Sequence, residues 1–251
     1  MRLRSIVIVG VVAYIAFLAA TVPSTFVIAR AMAIAPGMLQ VSDEHGTLWA
    51  GHARALLASP GGTLSFDRID WTLQPRELAA GRIAFRVDAA GNGVEAHGLV
   101  GRGFSSWHLA HVDARIAATA LPAFVPLVSA WHPEGTISLT TGGMDWNDDG
   151  GARGTLKLDW QGAAIAFSDV KPLGHYVVEA SGDGGPLGVK LSSPEGPLRM
   201  TGQGSISRGR FKFAGEARGE GDAAGRLEPL LGLMGARRAD GAHALQVTIQ
   251  R

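Results

Sequence analysis

The sequence predicts a mainly-β protein: an amino-terminal transmembrane helix followed by an extended, twisted antiparallel β-sheet domain with two short helices. Three observations support this prediction. An uncharged apolar run lies close to the amino end, apolar and polar residues alternate along much of the later sequence, and Gly-rich joints separate the alternating runs. The 251 residues include 35 glycines and 12 prolines, too few for a low-complexity chain. A chain of this length can bury a core.

The first predicted element is a membrane anchor over residues 5–22. Arg2 and Arg4 form a basic tip at residues 1–4, and the run that follows carries no charge. Its length is near the lower limit of about 17–25 residues for a spanning helix, and the two arginines favour a cytoplasmic amino end with the remainder exported. A cleaved signal peptide, with Ala29-Arg30-Ala31 as its cleavage site, is the alternative. The anchor positions are Ile6, Val7, Ile8, Val9, Val11, Val12, Ile15, Phe17 and Leu18.

A juxtamembrane helix is predicted over residues 23–36, ended by Pro36, and beyond it the apolar period changes to two. Such alternation is typical of half-buried strands, of which we expect about a dozen. The apolar phase slips between Phe66 and Ile69, which predicts a bulge. The clearest alternating positions are Ile83, Phe85 and Val87; Leu156, Leu158 and Trp160; Phe211 and Phe213; and Leu245, Val247 and Ile249.

Glycine pairs and two apolar segments complete the predicted pattern. Turns are expected at Gly142-Gly143, Gly150-Gly151 and Gly184-Gly185, and a hairpin turn at Gly91-Asn92-Gly93. Residues 121–130 and 227–235 have a helical pattern. Two prolines limit the length of the first segment, and the proline of the second lies in its first predicted turn.

The two helical segments also suggest an internal duplication. Leu121 precedes Glu134-Gly135 at the spacing at which Leu227 precedes Asp240-Gly241, and the two sets superpose at an offset of 106 residues. The repeat implies a first module over residues 37–133 and a second over residues 134–251, joined in one extended sheet or stacked as two β modules. Chance similarity in a Gly-rich chain is the alternative.

The sequence contains no pattern that indicates catalysis or a cofactor. The absence of cysteine excludes a thiol nucleophile and Cys-based metal sites, and the elbow of serine hydrolases and the P-loop are also missing. Alternation places His108 on the opposite face of a strand from His111 and Asp113, so we expect surface residues there rather than a metal site. We predict a non-enzymatic protein without cofactors, and the net charge of +1 argues against nucleic-acid binding.

The six tryptophans have two interpretations. They are expected to be core anchors, or alternatively some of them line an exposed apolar groove with a binding function. Their positions are Trp49, Trp71, Trp107, Trp131, Trp146 and Trp160.

Four segments, in order along nearly the whole chain, resemble the protein N family of the bacterial type II secretion system. The first follows the predicted anchor and Val41-Ser42, and Asp43-Glu44-His45 departs from the family pattern as an insertion. Each motif is short, and it is the ordered set that is specific. The residues that carry the resemblance, called the signature residues below, are Gly46, Thr47, Leu48, Trp49 and Gly51; Trp71 and Pro75; Pro172, Leu173, Gly174 and Tyr176; and Leu230, Leu231, Gly235, Asp240 and Gly241.

The resemblance implies a single-pass protein of the bacterial inner membrane with a periplasmic β domain. Such a protein would be a non-enzymatic accessory or scaffold component of type II secretion, and the secretin and protein C would be its partners. The family also resembles AsmA-like proteins, whose long sheets carry apolar troughs. The alternative function is therefore a periplasmic lipid-binding or lipid-transfer trough. We expect the signature residues to have structural roles.

Overall fold

The computed structural model describes residues 38–250. The predicted anchor, the predicted juxtamembrane helix, and the two arginines expected to orient the anchor, Arg2 and Arg4, therefore lie outside the described residues. In the described part of the chain, thirteen strands form one antiparallel sheet in which neighbouring strands follow each other in sequence. This confirms the prediction of a mainly-β sheet domain of about a dozen strands. The strands are β1 (Leu39–Gly46), β2 (Ala50–Ser59), β3 (Gly62–Leu73), β4 (Ile83–Gly91), β5 (Val94–Arg102), β6 (Ser106–Ala117), β7 (Glu134–Asn147), β8 (Ala152–Ala164), β9 (Gly174–Asp183), β10 (Leu187–Glu195), β11 (Leu198–Ser207), β12 (Arg210–Gly219) and β13 (His243–Gln250).

Between the strands of residues 38–250 lie three short α-helices: α1 (Pro75–Ala79), α2 (Leu121–Phe124) and α3 (Ala224–Met234). The first of them is too short to produce an apolar period and was not predicted. Helix α2 ends before Pro126, which begins a separate 3₁₀ turn over Pro126–Trp131, because proline cannot continue the hydrogen-bond ladder. Helix α3 begins earlier than expected, so that Pro229 lies inside it. Within this part of the chain, none of the helices combines the length and apolar character needed to cross a membrane.

The predicted turns and bulges are largely present. Gly91-Asn92-Gly93, Gly150-Gly151 and Gly184-Gly185 lie at hairpin connections, and the register of β3 with β4 shifts between Phe66 and Arg68. The turn predicted at Gly142-Gly143 is wrong, because both residues lie inside β7. There the register of β7 with β8 shifts between Thr140 and Gly143. Glycine marks a bulge within a long strand at this point, instead of its end.

The apolar side chains gather on one face of the sheet. The largest buried cluster joins β8, β9, β11, β12 and β13 to α3, which lies in the connection between β12 and β13. Helix α2 lies in the connection between β6 and β7 and contributes Ala123 to a second cluster, with Leu64 and Val94. The two helices therefore cover the same end of the apolar face, because β6 and β12 run in the same direction.

The sheet runs through the predicted boundary at residue 134 without a break. Strands β6 and β7, which flank it, pair from Ser106 opposite Asn147 to Ala117 opposite Thr136. Of the two predicted arrangements, the structure therefore shows the single extended sheet. The division into two duplicated modules stays a prediction.

Candidate functional site: an apolar groove and two sheet edges

An apolar groove of about 500 Å³ opens on the covered end of the apolar face. Its floor contains a row of side chains that face one another across three strands, because Leu158 pairs with Val178 and Val178 with Leu191. On the next strand, Leu191 pairs with Gly202, which has no side chain to continue the row. The lining residues are Trp131, Leu158, Trp160, Ile165, Phe167, Leu173, Tyr176, Val178, Leu191, Leu198, Met200, Leu230, Leu233 and Met234.

The polar atoms of the groove floor are already bonded to the backbone. The indole of Trp160 donates a hydrogen bond to the carbonyl of Glu134 at 3.0 Å, and the hydroxyl of Tyr176 donates one to the carbonyl of Leu198 at 3.0 Å. Burial raises the pKa of Tyr176 above its ordinary value, so that hydroxyl stays protonated. The groove therefore offers a neutral, apolar surface.

Three large apolar side chains at the rim of the groove are exposed. Trp131 from the 3₁₀ turn, Phe167 from the β8–β9 connection and Leu233 from α3 are 46%, 56% and 80% exposed. A cluster of exposed apolar side chains around a concave site is typical of a binding surface. Of the two interpretations of the tryptophans, Trp131 and Trp160 fit the groove, whereas Trp71 is buried in the core.

The amino-terminal signature residues form one packing unit. The indole of Trp71 in β3 donates a hydrogen bond to the carbonyl of Thr47 at 3.2 Å and lies against Gly51. Gly46 has a φ of 105°, as the turn between β1 and β2 requires. Leu48 and Trp49 lie in that turn, and Pro75 begins α1.

The carboxy-terminal signature residues meet in the largest buried cluster, which contains Leu173, Tyr176, Leu230 and Leu231. Gly174 follows Leu173 and begins β9, and Pro172 follows a cis peptide bond. In the connection between α3 and β13, a Cβ on Gly235 would overlap the carbonyl oxygen of Ala244. Asp240 and Gly241 form a turn there, in which the Asp240 carboxylate accepts a hydrogen bond from the amide of Ala242.

The histidines do not form a metal site with the other polar residues. His108 is half-buried, not at the surface as predicted, and its Nδ1 lies 2.6 Å from Oδ1 of Asp145. His111 and Asp113 are exposed. Residues 38–250 contain no group of three or more His, Asp or Glu side chains arranged to hold a metal ion.

The two edges of the sheet differ. Strand β1 has a register shift between Ser42 and His45, where Asp43 adopts a φ of 51° and pairs with Arg54 at 3.0 Å. Strand β13 is the other end of the sheet, and its register with β12 shows no shift. A bulge and charges protect an edge from pairing with another strand, so the edge of β13 is the less protected one.

Sequence reasoning missed several groove residues, notably Ile165, Phe167 and Leu233. The signal that could have found the first two is an apolar run within the β8–β9 connection, where a polar loop is the usual pattern. Leu233 belongs to a helical pattern whose other leucines are buried, and only the tertiary arrangement separates it from them.

The sequence model of one protein family, described as "Type II secretion system (T2SS), protein N", matches residues 38–246, which is most of the chain. No curated protein and no solved structure matches the chain.

Proposed function

Because the chain belongs to the type II secretion system protein N family, we propose that it is an accessory component of the type II secretion machinery that docks another secretion component. That family is a component of a secretion machinery and is not a known enzyme family. The observation that carries the docking role is the open apolar groove between the 3₁₀ turn and α3. Its rim exposes side chains that an apolar surface of a partner would bury.

The proposed docking residues are those at the rim. Leu233 is 80% exposed and Phe167 is 56% exposed, so neither contributes much to the core of the chain itself. Burial of such side chains by a partner stabilises a complex by about 25 cal/mol per Å² of apolar surface removed from water, before the cost of association. A small number of apolar anchors in a preformed groove is typical of a binding hot spot.

The proposed location follows from the sequence outside the described residues. The uncharged run at residues 5–22 would hold the protein in the inner membrane, with the β domain in the periplasm. The secretin and protein C are the proposed partners. An alkaline phosphatase fused to the carboxyl end tests the orientation, because that enzyme is active only after export. An inactive fusion that is nevertheless produced in full would contradict it.

The docking role is tested with two leucines that are equally exposed. Leu233 and Leu127 are both 80% exposed, but only Leu233 lines the groove. We expect Leu233→Glu to reduce both the co-purification of the secretin or protein C with the full-length chain and the amount of secreted protein in the medium. Leu127→Glu should leave both unchanged. If Leu233→Glu behaves as the wild type does in both assays, the groove is not the docking site.

A lipid-binding function is the second candidate, because the same groove is apolar and has a volume within the range of about 300–1,000 Å³ of ligand pockets. Native mass spectrometry of the full-length chain extracted in mild detergent separates the two functions. A stoichiometric phospholipid adduct that Leu233→Glu removes would favour lipid binding. A bound secretion component without such an adduct favours docking.

A further inference from the structure

We propose that the outer edge of β13 accepts an extended strand from a partner, with acidic side chains on one face of that strand and apolar side chains on the other. The inference rests on the proposed function, since the partner would be another secretion component, but it concerns a surface other than the apolar groove. Adding a strand to an open sheet edge is a common mode of peptide recognition, in which main-chain hydrogen bonds provide affinity.

Backbone groups at alternate positions of β13 point away from β12, toward the outer side of the sheet. The amide of Ala244 donates a hydrogen bond to the carbonyl of Ala236 at 2.9 Å, and the carbonyl of Ala242 accepts one from the amide of Arg238 at 2.7 Å. Along an antiparallel strand, the backbone N–H and C=O groups of successive residues point alternately toward one neighbouring strand and toward the other. The backbone groups of the even-numbered residues of β13 therefore point away from β12. Beyond Ala244, within the part of the chain that the structure describes, no strand pairs with these outward groups.

Strand β13 lacks the features that protect other edges. From Ala244 to Gln250 it contains no charged residue, no proline and no bulge, and Val247 and Ile249 alternate with neutral polar residues. The opposite edge of the sheet has both a bulge and a charge pair at Asp43. Natural sheets suppress edge pairing with such devices, and their absence from β13 favours the addition of a strand there.

At the β13 edge, one face of the sheet formed by β12 and β13 is apolar and partly exposed. Val247 lies opposite Phe213 and Ile249 lies opposite Phe211, and the two phenylalanine rings are 6.2 Å apart. Val247 and Ile249 are 42% and 52% exposed. Apolar side chains of an added strand would lie beside them and extend this face, as cross-strand pairs do in any sheet.

The opposite face of the sheet at the β13 edge is positively charged. Arg208, Arg210 and Lys212 lie together there with Gln250, and none of the three cations has an ion pair with another described residue. Glu216, on the same face of β12, is already paired with Arg238 at 3.5 Å. The unpaired positive charge selects a partner strand with acidic side chains on this face.

The test uses the full-length chain in mild detergent and two fluorescent nine-residue peptides. One alternates Glu with Val or Ile, and the other has Lys in place of each Glu. We expect the acidic peptide to bind at least about tenfold more tightly than the basic one, and the double variant Arg210→Glu with Lys212→Glu to reverse that preference. Absence of binding by the acidic peptide, or equal binding of both peptides, overturns the proposal.

Proline substitutions test whether the edge itself is used. Thr248→Pro removes an amide that points away from β12, so the β12–β13 pairing is retained while the outer edge loses a donor. Val41→Pro is the matched control, because the amide of Val41 points outward on β1. The hydrogen bond from the amide of Ala58 to the carbonyl of Met38 fixes that orientation. We expect only Thr248→Pro to abolish binding, and binding that survives it overturns the proposal.

Hydrogen exchange gives a readout that does not depend on a variant. Binding of the acidic peptide should slow exchange at the amides of Gln246 and Thr248 and leave those of Leu245 and Val247, which face β12, unchanged. Uniform or absent protection overturns the proposal. A negative result here would overturn the proposal for the β13 edge and not the proposal for the groove. A negative result with Leu233→Glu would overturn the groove proposal and not the one for the β13 edge, so the two proposals fail separately.

Discussion

The indole ring of Trp71 lies directly over Gly51, so closely that a Cβ at position 51 would be 2.5 Å from Cζ2 of the ring. The same Cβ would be 2.6 Å from the carbonyl oxygen of His45 in the neighbouring strand. A tryptophan and a glycine that are twenty residues apart therefore depend on each other, and the first two signature segments are joined by this contact and by the hydrogen bond from Trp71 to Thr47.

Gly51→Ala should destabilise the protein. The added methyl group meets both an indole and a backbone oxygen, and overpacking of this kind lowers the free energy of unfolding by about 1–3 kcal/mol. Gly142→Ala is the control, because its Cβ would have no atom within 4 Å. Thermal unfolding followed by circular dichroism measures both. Equal stability of the two variants would show that the ring does not require glycine at position 51.

Tyr176 should make the stability of the protein decrease as the pH rises in the alkaline range. Burial raises the pKa of its hydroxyl above the ordinary value of about 10, so the folded protein holds the proton more tightly than the unfolded chain. This contribution to stability is complete below pH about 10 and is lost as the pH rises from there toward the folded pKa. Tyr176→Phe should show a smaller loss between pH 9 and 11, about the ordinary pKa.

Absorbance at 295 nm checks the same residue directly. Burial raises the pKa of this hydroxyl, which donates a hydrogen bond to the carbonyl of Leu198, so Tyr176 should ionise in the folded protein only well above the ordinary pKa of a tyrosine. A tyrosine titration of the folded protein near the ordinary pKa that disappears in Tyr176→Phe would contradict this expectation. The substitution should also cost about 0.5–1.5 kcal/mol at neutral pH through the lost hydrogen bond.

Two leucines of α3 should respond very differently to truncation. Leu227 is fully buried in the largest cluster, so Leu227→Ala should lower the free energy of unfolding by about 2–5 kcal/mol. Leu233 is 80% exposed, so Leu233→Ala should change stability by no more than about 0.5 kcal/mol. Urea denaturation of the two variants measures the difference. A large loss at Leu233 would mean that the groove rim supports the fold and would weaken its assignment to docking.

Arg102 should control the titration of Asp148. Its guanidinium donates two hydrogen bonds to that carboxylate, at 2.9 and 2.7 Å, and they hold the pKa of Asp148 below its ordinary value. Arg102→Gln should therefore raise the pKa of Asp148, as measured by carbon NMR of the carboxyl group. The stabilising effect of the pair is present above the ordinary pKa of an aspartate and is lost as the pH falls.

The control for this titration is Arg86→Gln, because Arg86 is exposed on β4 and is not a partner of Asp148. It should leave the pKa of Asp148 unchanged. An unchanged pKa in Arg102→Gln as well would show that the two side chains do not stay paired in solution, as many exposed ion pairs do not.

Much of the sheet could be predicted from the sequence because its strands are half-buried. Alternation at Leu156, Leu158 and Trp160 marks β8 correctly, and the phase slip after Phe66 marks a bulge. Glycine pairs are harder to interpret, because a turn and a bulge both require a residue without a side chain. Gly142-Gly143 belongs to the second kind and Gly150-Gly151 to the first, and only the register with β8 separates them.

The groove could not be predicted in the same way, because it is made by elements that are distant in sequence. Trp131 and Leu233 are about a hundred residues apart, and each belongs to a pattern that is compatible with core burial. Both line the groove and are exposed there, which depends on where the 3₁₀ turn and α3 lie on the sheet and is a property of the tertiary arrangement. The buried leucines of α3, by contrast, follow directly from its apolar spacing.

Nearest-neighbour pairing also determines how such a sheet can assemble. Each strand bonds only to those immediately before and after it in the chain, so every pairing closes a loop between consecutive strands, and the entropy cost of loop closure rises only slowly with loop length. A polypeptide delivered from its amino end can add one strand at a time to a growing template, without waiting for distant segments. Unfolding can likewise proceed from either terminus one strand at a time, as it does in linear repeat proteins. Strand β13 is the final strand that the structure describes, and a strand of the proposed partner paired with its outer edge would extend the same sheet into a second chain.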